Sequence, residues 1–183
     1  MSSDLDKLTK HLKIAQPENA HTLPASLYTD PQYLTQEFKN IFENTWQLIG
    51  HVSQLKDSGD QIVAQVGRIP IVAVRTQDGL LKAFHNVCRH RAGPVAVENN
   101  NTKVLRCKYH GWTYTLDGDL RSAPEMESTP NFDVCQYHLP QAQITTWQGF
   151  VFVCINDDVV DIEKIFENIK ETILPIDLKA MQY

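Results

Sequence analysis

Short runs of apolar and β-branched residues fill the middle of the chain and predict a series of β-strands. Eight runs fit this pattern: Trp46–Val52, Gln61–Val66, Ile69–Arg75, Leu80–Val87, Val104–Cys107, Trp112–Leu116, Gln143–Trp147 and Gly149–Ile155. Asp78-Gly79 and Asp117-Gly118 predict tight turns, since such turns need positive φ at both central positions. Because no helical pattern separates the runs, the sequence predicts a mainly β fold, an antiparallel sandwich or barrel.

Helices are predicted on both sides of the strands. Asp30 offers an N-cap and Pro31 suits the first helical position, so we expect a helix over residues 31–45. Near the end of the chain, an apolar helical face stops before Pro175 and comprises Ile162, Ile165, Phe166, Ile169 and Ile173. The expected organisation is an N-terminal arm, a helix, a β domain and a C-terminal helix or linker, at 1–30, 31–45, 46–157 and 158–183.

Composition narrows the class of protein. The 183 residues are 42% hydrophobic and 21% charged, which is enough apolar surface for the core of one folded unit. A net charge of −5 without a cluster of lysines and arginines argues against nucleic acid as a partner. The sequence contains no apolar stretch of about 20 residues and starts with polar residues, so we expect no membrane span, no signal peptide and a cytoplasmic protein.

Two short motifs combine cysteine with histidine. Cys88 and His90 form a C-x-H pair, Cys107 and His110 form a C-x-x-H pair, and sixteen residues separate the two motifs. Each motif lies beside a predicted strand end and a nearby glycine, so two sharp loops can present a sulfur and an imidazole to the same region. Such a set can hold one tetrahedral ion, for which zinc is the obvious candidate, or two ions that divide the ligands by type.

The stretch from His85 to Trp112, HNVCRHRAGPVAVENNNTKVLRCKYHGW, resembles the Rieske 2Fe-2S binding site. It is most similar to the version in α subunits of Rieske non-haem iron oxygenases, the ring-hydroxylating and choline monooxygenase-like enzymes. The similarity continues in TWQLIGHVSQL, YTLDGDLRSAPEME and WQGFVFVCIND, and covers about residues 30 to 157. Structural zinc loops more commonly use C-x-x-C and H-x-x-x-H spacing, so the flanking similarity favours the cluster.

The resemblance implies a ligand set. Cys88 and Cys107 would bind one iron and His90 and His110 the other, with two sulfides bridging the pair. It also implies that Trp112 and Tyr109, with Arg91, shield or orient the cluster.

The resemblance bears on the redox potential too. Gly93, Tyr109 and Trp112 correspond to the extra cysteines and the serine of respiratory Rieske proteins. Because those groups are missing, we expect fewer hydrogen bonds to the sulfurs. The potential should then lie in the lower part of the roughly −150 to +300 mV Rieske range.

A cluster with four protein ligands has no open position, so its task is to accept and pass on one electron. The resemblance implies that a reductase or ferredoxin supplies the electron. It further implies that a mononuclear Fe(II) receives it in a C-terminal catalytic domain, within homotrimers whose clusters serve the neighbouring subunit. No facial-triad motif occurs before Tyr183, so we expect a fragment of a longer oxygenase subunit. An independent Rieske ferredoxin and a zinc-stabilised interaction module are the alternatives.

Overall fold

The computed structural model describes residues 17–19, 22–126, 128–173 and 176–182. The chain divides into two compact units, residues 1–37 and residues 38–183. Ten strands lie in the described part of the second unit: β1 Gln47–His51, β2 Asp60–Val66, β3 Ile69–Arg75, β4 Leu81–His85, β5 Asn100–Asn101, β6 Leu105–Arg106, β7 Thr113–Tyr114, β8 Leu120–Ser122, β9 Gln141–Trp147 and β10 Phe150–Cys154. Within the described ranges no helix is long and apolar enough to cross a membrane.

The strands form two antiparallel sheets. Seven strands make the larger sheet in the order β1-β10-β9-β4-β3-β2-β5, and β6, β7 and β8 make the smaller one. Ile71 to Arg75 of β3 pair with His85 to Leu81 of β4, and every paired neighbour is antiparallel. The mainly β, antiparallel prediction is therefore confirmed. Sequence patterns missed β5 and β8, since strands of two and three polar-rich residues carry too little alternation to be recognised.

Strand β3, an interior strand of the larger sheet, is buried on both faces. Val72 and Val74 point towards the smaller sheet, where they pack in one cluster with Leu105 and Trp112. Residues on the opposite face of β3, including Ile71, belong to a second cluster. A strand covered on both sides reads as a continuous apolar run, which explains why its predicted bounds are those observed. The first cluster also contains both cysteines of the two motifs.

The hairpin turns differ from the prediction. The connection between β3 and β4 runs from Thr76 to Leu80, and Thr76 N–H donates to Leu80 O at 2.9 Å. Of the residues in this connection, only Gly79 has positive φ, at 83°. The predicted tight turn, in which Asp78 and Gly79 would both have positive φ, is therefore wrong. The side-chain hydroxyl of Thr76 bonds both Asp78 and the backbone of Leu80, which stabilises the longer loop.

The first unit contains α1 Ser26–Thr29 and α2 Pro31–Glu37. Helix α2 begins at Pro31 as predicted, and Asp30 Oδ1 accepts from the N–H of Gln32 at 2.9 Å. The rest of the predicted arm, residues 1–16 and 20–21, lies outside the described residues.

The predicted 31–45 helix does not continue as an α-helix in the second unit. A π-helical turn covers Phe38–Phe42, and residues 43–45 are not helical. The side chains of Asn44 and Thr45 bond the carbonyls of Lys39 and Ile41, which offers the backbone an alternative to further helix.

The C-terminal apolar face forms two short helices, α3 Ile162–Ile165 and α4 Glu167–Ile173. Ile162 is buried with Trp147 and Phe152, whereas Ile165 and Ile169 are exposed. The predicted single helical face is therefore broken at Phe166. Pro175, which was expected to stop the helix, and the terminal Tyr183 lie outside the described residues.

Candidate metal centre

Two loops of similar construction carry the cysteines and histidines. The first follows β4, and in it the N–H of Cys88 donates to Gly93 O at 2.8 Å while Cys88 O accepts from Ala92. The second joins β6 to β7, where Cys107 N–H donates to Trp112 O at 2.9 Å and Cys107 O accepts from Gly111. Ala92 and Gly111 both have positive φ, 57° and 75°, so each chain reverses within a few residues of its cysteine.

Asn86 fixes the first loop from inside. Its side chain is 3% exposed, and Oδ1 accepts from the backbone N–H groups of Val95 and Ala96, each at 2.9 Å. Its Nδ2 donates to Ala96 O at 2.7 Å. Three buried hydrogen bonds therefore tie the start of the loop to its end. Sequence reasoning overlooked Asn86, although a lone polar residue between a strand and a cysteine is a recognisable signal for such a clamp.

The two cysteines lie together in the core. Cys88 is 3% and Cys107 is 2% exposed. Burial, aided by the neighbouring Cys107 thiol, raises the pKa of the Cys88 thiol, while the Tyr114 hydroxyl and the backbone of His90 act in the opposite direction. Gly93 leaves room for the pair, since a Cβ there would lie 3.0 Å from Cys107 Sγ.

Tyr114 contacts the first loop directly. Its hydroxyl lies 3.3 Å from Cys88 Sγ and accepts from the N–H of Arg89 at 2.9 Å. Burial first, and then the bond to Cys88, raise the pKa of Tyr114, so this phenol remains a proton donor. The sequence pattern did not single out Tyr114, although it follows Trp112 by two residues in the predicted strand 112–116, a spacing typical of one strand face, and both side chains are buried.

The two histidines lie together at the surface. The His90 and His110 ring centroids are 4.7 Å apart, with the rings 70° to each other. Tyr109, which is 64% exposed, stacks on His110 at 3.8 Å. Buried Trp112 stacks on His90 at 4.9 Å with only 9° between the ring planes.

The surroundings of His90 favour the neutral imidazole. Desolvation, together with the neighbouring His110 and Arg91, lowers the pKa of His90, while Glu125 opposes them. Arg91 itself is exposed and lines a groove with His90. A neutral imidazole is the form that binds metal.

The eight predicted site residues thus gather in one region, with the cysteines inside and the histidines outside. In the described part of the chain, no three His, Cys, Asp or Glu side chains converge where they could hold one metal ion. Two soft thiolates at one point and two imidazoles at another fit a pair of ions that divide the ligands by type, as in a Rieske centre. They fit a single tetrahedral zinc less well.

Comparison with known proteins gives a consistent result. The family model for the Rieske [2Fe-2S] domain matches residues 45–133. The chloroplastic choline monooxygenase of Arabidopsis thaliana is 37% identical over 152 residues, which are 82% of this chain and 36% of that protein. The carnitine monooxygenase oxygenase subunit of Escherichia coli K12 is 34% identical over 150 residues, 81% of this chain and 40% of that protein. The chain thus spans well under half the length of these relatives.

Solved structures agree with the sequence relatives. A quaternary ammonium Rieske monooxygenase superposes with a TM-score of 0.77 and 29% identity, over 83% of this chain and 42% of that one. Naphthalene 1,2-dioxygenase also gives a TM-score of 0.77, with 27% identity over 82% of this chain and 34% of its own.

Proposed function

Since the chain belongs to the Rieske [2Fe-2S] family found in oxygenase subunits, we propose that it transfers single electrons within a Rieske oxygenase. Cys88 and Cys107 would hold one iron and His90 and His110 the other. Bound there, a 2Fe-2S cluster supplies reversible one-electron acceptance at a moderate potential, because two neutral imidazoles replace two anionic thiolates. The observation that carries this proposal is the division of the four side chains into a buried sulfur pair and an exposed imidazole pair.

The protein residues determine how the electron enters and leaves. Cys88 and Cys107 lie in the core and are 3% and 2% exposed, so little solvent reaches these residues. His90 and His110 lie at the surface and so provide the shortest route to a redox partner. The Trp112 ring, buried against His90, excludes water from the inner side of the imidazole pair, and Gly93 keeps the space beside Cys107 free of side-chain atoms.

We propose that a reductase or ferredoxin is the electron donor. The acceptor would be a mononuclear iron outside these 183 residues, in the same or a neighbouring subunit. The oxygenase would be a monooxygenase, since the curated relatives at 37% and 34% identity are both monooxygenases by name, whereas the dioxygenase structure is 27% identical. Choline and carnitine in those names are trimethylammonium compounds, so we propose that class of substrate for the whole protein.

Ligand variants with matched controls test the cluster proposal. Cys107→Ser and His110→Ala should each abolish the red-brown visible spectrum of anaerobically purified protein, because each removes a ligand. The controls are Cys135→Ser and His138→Ala, exposed residues outside both motifs, which should leave the spectrum unchanged. A wild-type spectrum in Cys107→Ser, or a colourless wild-type protein, would contradict the proposal.

A further inference from the structure

The indole N–H of Trp112 is buried and has no hydrogen-bond partner. Trp112 is 2% exposed, and its Nε1 finds no acceptor among the described residues. An indole nitrogen can only donate, so no rotation or change of tautomer turns it into an acceptor. Buried donors are almost always paired in folded proteins, because an unpaired one has lost its bond to water without a replacement. The position of this N–H therefore requires an acceptor that the protein itself does not supply.

Trp112 is joined to a candidate ligand of each kind. Its ring stacks on the imidazole of His90, with the ring centroids 4.9 Å apart and 9° between the planes. Its backbone carbonyl accepts from the N–H of Cys107 at 2.9 Å. The side chain also belongs to the buried cluster that contains both cysteines of the motifs. The indole thus lies at the boundary between the buried sulfur pair and the exposed imidazole pair.

An unpaired indole alone does not indicate a ligand. Within the described residues, the other buried side-chain atoms without a partner are His51 Nε2, Gln61 Oε1 and Trp147 Nε1. Trp147 carries the same group as Trp112 but packs on Phe166 at 4.4 Å, in a different core cluster. Of the four residues, Trp112 is the one whose ring stacks on a candidate iron ligand. Its location, in addition to its missing partner, therefore carries the argument.

The protein offers only weak alternatives as acceptors. Neither cysteine sulfur accepts from Nε1, since the structure gives this atom no partner. The rings of Phe132 and Tyr137 lie at 65° and 84° to the indole, with centroids 5.6 and 5.7 Å away. An N–H directed at an aromatic face makes a second-order interaction, whereas a charged acceptor makes a hydrogen bond about twice as strong as a neutral one. The anionic sulfides of a bound cluster are such acceptors.

We propose that the Trp112 indole N–H donates a hydrogen bond to a bridging sulfide of the cluster and so raises its midpoint potential. This inference rests on the proposed function and assigns a residue that adjusts the same centre. The sulfides carry more negative charge after reduction, so the bond is stronger in the reduced state and stabilises it. Stacking on His90 holds the indole in place for this bond.

Replacing the ring N–H without changing the ring shape tests the proposal. Site-specific incorporation of β-(3-benzothienyl)alanine at position 112 puts a sulfur where the indole has its N–H. The matched control is the same replacement of Trp147, whose indole is equally buried and unpaired. Anaerobic redox titration of both proteins and of the wild type gives the midpoint potentials.

We expect the equilibrium constant for reduction to fall about three- to tenfold in the Trp112 replacement, or roughly 30–60 mV at 59 mV per tenfold change. The Trp147 replacement should match the wild type. Equal potentials in all three proteins would leave the N–H to the aromatic faces and overturn the proposal. An equal fall in both replacements would overturn it too, because the effect would then come from altered packing.

Pulsed EPR of the reduced protein gives a second readout that does not depend on the replacement binding a cluster. Protein labelled with ¹⁵N in its indole rings should show a ¹⁵N coupling to the cluster spin, and Trp147→Phe should retain this coupling. Labelled wild-type protein with an iron–sulfur signal but no ¹⁵N coupling would overturn the hydrogen bond. Wild-type protein with no iron–sulfur signal at all would instead overturn the proposed function.

Discussion

The hydroxyl of Tyr114 offers the sharpest test of how the protein sets the properties of its candidate centre. It lies 3.3 Å from Cys88 Sγ and is fully buried, and its phenol stays protonated because burial raises its pKa. A thiolate ligand carries more negative charge when the site is reduced, so a hydrogen bond to it stabilises the reduced form more than the oxidised form. Tyr114→Phe removes this bond with little change of shape, so the midpoint potential should fall.

The size of the shift follows from ordinary hydrogen-bond energies. One intramolecular hydrogen bond contributes about 0.5–1.5 kcal/mol net, and the difference between redox states does not exceed that value. For a one-electron couple, 59 mV corresponds to a tenfold change in equilibrium constant, or about 1.4 kcal/mol. We therefore expect Tyr114→Phe to lower the midpoint by roughly 20–60 mV. The variant should also lose about 1–3 kcal/mol of stability, because the Arg89 N–H loses its acceptor.

An anaerobic redox titration followed by visible absorption measures the midpoint. Tyr137→Phe is the matched control, since Tyr137 packs edge-on against Trp112 at 5.7 Å but is not hydrogen-bonded to either cysteine in the described structure. Its potential should equal that of the wild type. An unchanged or higher potential in Tyr114→Phe would refute the role of the hydroxyl, and an equal fall in both variants would assign the effect to packing.

Three further predictions concern the loops and the potential. Asn86→Ala should lower the free energy of unfolding by about 2–4 kcal/mol, because it leaves three buried backbone groups unpaired. An equal loss of stability in Asn156→Ala, which removes two exposed side-chain hydrogen bonds, would contradict the clamp. Gly93→Ala should reduce bound iron per chain, since its Cβ would lie 3.0 Å from Cys107 Sγ, and full occupancy would count against that tight fit. The wild-type midpoint should lie in the lower part of the Rieske range, and a value above about +200 mV would refute this expectation.

The sequence predicted best where burial imposes a regular pattern. Ile69–Arg75 was predicted with its observed bounds because both of its faces are covered. The predicted helix at 31–45 was too long, because the Asn44 and Thr45 side chains bond backbone carbonyls, which periodicity of apolar residues does not report. The C-terminal helices show a similar case. The apolar residues keep regular helical spacing across Phe166, so the sequence pattern does not indicate that the helix is interrupted there.

The candidate site shows a similar division. Cysteine and histidine are rare and chemically specific, so their spacing singled out four candidate ligands, and the family resemblance then implied how two irons would share them. The supporting residues Asn86 and Tyr114 act through contacts with residues 9 to 10 and 25 to 26 positions away, which only the folded chain reveals. The sequence predicted few hydrogen bonds to the cysteine sulfurs. The structure shows one such contact, between the Tyr114 hydroxyl and Cys88 Sγ.

Elemental analysis of the purified chain tests the central claim most directly. Protein isolated without oxygen should contain iron and acid-labile sulfide in equal amounts, close to two of each per chain, and negligible zinc. One zinc per chain with no inorganic sulfide would contradict the assignment, because the four side chains would then hold a single redox-inactive ion.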